Sequence, residues 1–125
     1  MNNYIQLTER EEELMRLFWQ HGPMFVRELH ALLPEPRPHV NTIATFVRIL
    51  EQKGMLAHES FGHNHRFYPV VSAAEHSRSA LRSVVDRYFD NSLRGAISAL
   101  ISEERLTDEE VRELIEMVQR PNDKD

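Results

Sequence analysis

A chain of 125 residues, 41% hydrophobic and 28% charged, has room for one ordinary domain or a small domain with a helical appendage, and it is too apolar for wholesale disorder. The absence of cysteine excludes disulfides, thiol catalysis and every cysteine-based metal centre. The net charge of −5 argues against indiscriminate nucleic-acid binding, yet residues 37–66 hold Arg37, Arg48, Lys53 and Arg66 against only Glu51 and Glu59, with His39, His58, His63 and His65 among them.

Three S/T-x-x-E pairs announce helix starts: Thr8 with Glu11, Ser72 with Glu75, and Thr107 with Glu110. The first predicted helix runs over about 8–21, with Leu14, Met15, Phe18 and Trp19 on one face, and Gly22-Pro23 ends it. Met24-Phe25 is a short extended piece. A second helix carries Val26, Leu29, Leu32 and Leu33, and Pro34, Pro36 and Pro38 make a stiff turn. A third helix is expected over about 39–53, closed by Gly54.

The apolar period then changes from helical to alternating. Residues 55–61 and 66–71 read as two strands joined by Gly62-His63-Asn64-His65, with Pro69 suited to an edge strand. From Ser72 the pattern is helical again. Leu81, Val84, Val85, Tyr88 and Phe89 form one stripe, and Asp90-Asn91-Ser92 breaks it. Leu93, Ile97, Leu100 and Ile101 form a second stripe; Val111, Leu114, Ile115 and Val118 form a third. So much apolar surface on so thin a segment predicts dimerisation through residues 72–125.

The predicted fold class is mainly α with a small β-hairpin: a winged helix-turn-helix domain over 1–71, then a helical dimerisation region. In that arrangement the third helix enters the major groove of DNA. Ile43, Phe46, Val47 and Leu50 give it an inner face; Asn41, Thr45, Arg48 and Gln52 give it a polar outer face, flanked by Thr42 and Ala44. Asn suits adenine edges, Arg suits guanine, and Thr and Ala methyls suit thymine methyls. Asn41, Thr42, Thr45 and Arg48 are therefore base-contact candidates. Arg37, Lys53, His63, His65 and Arg66 are phosphate candidates. The alternative is a winged helix that dimerises and binds protein instead of DNA.

Residues 42–56 resemble the recognition helix of the penicillinase-repressor (BlaI/MecI/CopY) family of bacterial transcriptional regulators. Leu7-Thr8 with the acidic run after it, Met15, Phe18-Trp19 and Gly22 match the family's opening. Phe67-Tyr68-Pro69 is similar to its aromatic-Pro strand, and Leu106-Thr107-Asp108-Glu109-Glu110 to its tail. The resemblance covers about residues 5–119. It implies a repressor that sits as a homodimer on a palindromic operator of double-stranded DNA, and the absence of cysteine suits the cytoplasm. Two features depart from the family pattern: Arg48 is followed by Ile49-Leu50, and position 44, often polar or basic in relatives, is Ala44. Antibiotic-responsive members are inactivated by cleavage of an Asn-Phe bond in a dimerisation helix. Ser98-Ala99-Leu100-Ile101 stands there instead, so a regulatory protease is left unassigned. Without cysteine, the cysteine-cluster route of the copper-responsive branch is closed.

Other chemistry finds little footing. His63-x-His65 with His58 could imitate a metal site, but Glu59 is the nearest carboxylate, and neither metal nor cofactor is expected. No phosphate loop, nucleophile elbow or zinc-protease motif is present, so no catalytic residue is assigned. No apolar run is long enough to cross a membrane, and Met1-Asn2-Asn3-Tyr4 opens no secretory leader. His76 is expected to be an exposed helix residue.

Overall fold

A computed structural model describes residues 4–104 and 106–119; the side chains of Glu104, Val118 and Gln119 lie outside that description. Nine elements follow one another: α1 (Glu9–His21), β1 (Met24–Phe25), α2 (Val26–Leu32), α3 (Val40–Gln52), β2 (Leu56–Phe61), β3 (Asn64–Pro69), α4 (Ala73–Tyr88), α5 (Leu93–Glu104) and α6 (Asp108–Gln119). They fall into two compact units, one through Arg82 and one from Ser83, so the first includes the beginning of α4.

The three S/T-x-x-E pairs all close as reciprocal caps. The Glu11 amide donates to the Thr8 hydroxyl over 3.2 Å, and the Thr8 amide donates back to Glu11 Oε1 over 2.9 Å. Ser72 with Glu75 and Thr107 with Glu110 repeat the geometry at 2.9–3.1 Å. Each cap satisfies amides that the first helical turn would otherwise leave without partners.

In the first unit, α1, α2 and α3 surround one core with the inner face of the sheet. Leu14, Met15, Phe18, Leu29, Ile43, Val47, Leu50 and Met55 are fully buried there. Trp19 is only half-buried, because its indole turns to donate Nε1–H to the Val71 carbonyl over 2.9 Å. Leu32, placed on the inner stripe by its spacing, is exposed at the last turn of α2.

The sheet has three antiparallel strands in the order β1-β3-β2, the expected hairpin joined by the short strand before α2. Met24 pairs with Phe67 and Phe25 with Arg66, so the short extended piece before α2 is a strand. That makes β3 central. Pro69 is tolerated because β1 reaches no further along β3 than Phe67, leaving that edge open at Pro69. The hairpin loop is also tighter than expected. Phe61 pairs with Asn64, so only Gly62 and His63 lie between the strands, and Gly62 alone takes the positive φ, +65°.

His76 is buried, contrary to the sequence expectation. Its ring lies 5.4 Å from that of Tyr4 and 5.9 Å from that of Trp19. Helical spacing could not reveal this, because the covering rings come from elements far away in the chain.

In the second unit, Asp90 and Asn91 adopt positive φ and break the helix where the sequence indicated. Val85 and Ala96 are buried. Leu93, Ile97, Ile101, Val111, Leu114 and Ile115 line an apolar groove between α5 and α6. Among the described residues, no helix is long and apolar enough to cross a membrane.

Candidate nucleic-acid interface

The outer face of α3 is built by its amphipathic spacing. With Ile43, Val47 and Leu50 turned inward, Asn41, Thr42, Thr45 and Arg48 are all exposed. No acidic residue occupies the first turn of α3. His39 caps the helix, its Nδ1 accepting the Asn41 amide over 3.0 Å. The Thr45 hydroxyl donates to the Asn41 carbonyl over 3.1 Å and accepts from Arg48 Nη2 over 3.3 Å.

This face forms one wall of a cleft of about 900 Å³, whose lining includes Asn41, Ala44 and Arg48 from α3, Arg27 from α2, and His63, Asn64 and His65 from the wing. The cleft thus joins the base-contact candidates Asn41 and Arg48 of α3 to the wing candidates His63 and His65; Thr42 and Thr45 are not in its lining. Arg27 and Asn64 are among the lining residues that the sequence did not single out. Arg27 is exposed on the first helix of the helix-turn-helix, and no carboxylate among the described residues pairs with it. Asn64 was read as a turn former, yet it belongs to β3.

Two interactions steady α3 relative to its surroundings. At its C-terminal end, Glu51 accepts from His58 Nδ1 over 2.7 Å, so this carboxylate is engaged at the root of the wing. The His58 ring in turn stacks on His65, with centroids 4.1 Å apart. Just past α3, the Lys53 ammonium donates to Glu11 Oε1 over 2.6 Å and to the Gln6 carbonyl over 3.0 Å. Burial works to raise the Glu11 carboxyl, but the Lys53 hydrogen bond, the bonds from Thr8 and the ammonium charge outweigh it and hold it below the usual range.

The Lys53 ammonium, a phosphate candidate, is thus engaged by the α1 cap in the single chain. The other phosphate candidates are dispersed. Arg37 braces the turn before α3, donating Nε–H to the Leu33 carbonyl over 3.1 Å, with its guanidinium 3.4 Å from Glu35. Arg66 pairs with Glu59 at 3.2 Å and lies over the Phe61 ring. His63 and His65 are exposed and meet in the cleft. Among the described residues, no three His, Asp or Glu side chains converge as metal ligands.

The order of elements and the cleft between α3 and the hairpin define a winged-helix protein. A model of the penicillinase repressor family matches residues 7–120, and the chain belongs to that family, whose members are transcriptional regulators rather than enzymes. It is 22% identical over 120 residues to the penicillinase repressor of Bacillus licheniformis, spanning 95% of this chain and 94% of that one. It is 26% identical over 117 residues to an uncharacterized 16.5 kDa protein of Latilactobacillus sakei, spanning 93% and 80% of the two chains. The solution structure of the DNA-binding domain of the repressor BlaI superposes with a TM-score of 0.52 at 25% identity, covering 60% of this chain and 93% of that one.

Proposed function

We propose that the protein is a cytoplasmic, sequence-specific transcriptional repressor that occupies a palindromic operator as a homodimer. The observation that carries this reading is the outer face of α3. Asn41, Thr42, Thr45 and Arg48 are all exposed there, and Arg48 has no carboxylate partner among the described residues. These side chains match base edges in the major groove. Arg27, His63 and His65 flank them as phosphate contacts, with Arg37 and Arg66 contributing from positions already braced by carboxylates.

Dimerisation rests on the apolar side chains left exposed after residue 80. Leu81, Val84, Tyr88, Leu93, Leu100 and Ile115 are all solvent-facing in the single chain, Tyr88 at 71% and Leu100 at 55%. Phe89, Ile97, Ile101, Val111 and Leu114 are half-buried beside them. Val85, at 1% exposure, is not solvent-facing in the single chain. Val118, the last member of the expected stripe, has a side chain outside the described residues.

Selection from random duplex DNA with the full chain tests this reading. It should enrich an inverted repeat with half-sites about one helical turn (~10 bp) or a multiple apart. A pool with no enriched motif would instead favour a winged helix that binds protein.

A further inference from the structure

We infer that Thr45 reads a thymine through its γ-methyl group while its hydroxyl sets Arg48 against a neighbouring base. The inference rests on the DNA-binding reading and goes into its specificity. A threonine hydroxyl has one proton to donate. In Thr45 that proton is committed to the Asn41 carbonyl, and the same oxygen accepts from Arg48 Nη2. Thr45 therefore has no hydrogen bond left to donate to a base, and the free end of this exposed side chain is its methyl.

The surroundings suit a methyl partner. Asn41, Thr45 and Arg48 lie at i, i+4 and i+7, so the methyl falls between an amide and a guanidinium that recognise base edges by hydrogen bonds. Ala44 adds a second methyl, half-buried in the wall of the cleft. In the major groove, the apolar group a base pair presents beside its hydrogen-bonding edge is the 5-methyl of thymine.

The test uses the full-length protein on its selected operator, with each thymine replaced in turn by deoxyuridine, which removes only that methyl. Wild-type protein should lose about fourfold in affinity at one thymine of each half-site, equivalent to ~0.8 kcal/mol for a methyl-sized apolar contact. Thr45→Ser keeps the hydroxyl and its bonds but lacks the methyl, so its affinity should be indifferent to that replacement. Thr45→Val keeps a methyl and lacks the hydroxyl. It should retain the fourfold loss and discriminate less well at the base read by Arg48. A wild type insensitive to every replacement, or a Thr45→Ser variant with an undiminished penalty, would overturn the inference while leaving DNA binding intact. Failure to select any operator would overturn both.

Discussion

The ammonium of Lys53 lies 2.6 Å from the carboxylate of Glu11, joining the end of α3 to the first turn of α1 across 42 residues of chain. Glu11 thus closes its own helix cap and anchors α3 at once. Its side chain is 4% exposed. Replacing it removes a charged hydrogen bond and leaves Lys53 without its anionic partner.

Glu11→Gln should destabilise the first unit by about 2 kcal/mol at pH 7, the worth of a charge-assisted hydrogen bond. The folded state holds the Glu11 carboxyl below its ordinary value. The carboxylate's contribution is therefore present above the unfolded value, about 4.3. It is lost as pH falls through the lower folded value. Denaturant titrations of wild type and variant should converge on acidification below that point. An equal gap at pH 7 and pH 3 would show that the carboxylate charge is not what matters.

Lys53→Ala and Arg27→Ala should separate structural from phosphate-binding cations. Arg27→Ala should lower the slope of log affinity against log salt by ~2, one phosphate contact from each of the two bound chains. Lys53→Ala should reduce stability and leave that slope unchanged. A reduced slope in Lys53→Ala would place its ammonium back on the DNA.

Arg48→Ala should cost ~1–3 kcal/mol on the selected operator and relax preference at one base position. Competition with operators varied at each position reads this directly. A uniform loss on all duplexes would mark Arg48 as a phosphate contact.

Leu100→Asp should separate the dimer without unfolding the protomer, since this side chain is already exposed in the single chain. Sedimentation at micromolar concentration should show a mass near 14.7 kDa for the variant and near twice that for wild type. A wild type at the single-chain mass would remove the basis for a palindromic operator. The same variant addresses switching. If Ala99-Leu100 is the counterpart of the Asn-Phe bond, as the family resemblance implies, induction here is proposed not to use that cleavage. Separating the protomers should still release the operator, because the second half-site is then no longer held at high effective concentration.

The features legible in the sequence are the local ones. Thr8/Glu11, Ser72/Glu75 and Thr107/Glu110 each act across three residues, so their spacing alone carries the geometry. The face of α3 was legible for the same reason: one strong period separates Ile43, Val47 and Leu50 from Asn41, Thr45 and Arg48. What escaped depends on pairing at long range. The short strand at Met24-Phe25 was legible, but not its pairing, because its partners Phe67 and Arg66 lie far along the chain. Lys53 is a surface-type residue whose partner lies in α1, and His76 is covered by rings from Tyr4 and Trp19. Arg27 was passed over because its importance comes from the cleft it lines, which no local pattern describes.

The central claim is preferential binding of one DNA sequence, and an anisotropy titration tests it most directly. The full-length protein is titrated into labelled operator and into a scrambled duplex of equal length and composition, both at physiological salt. The account predicts a preference for the operator of at least ~10³-fold, the lower end for specific DNA-binding proteins. Equal affinity for the two duplexes, or binding to neither, would contradict it.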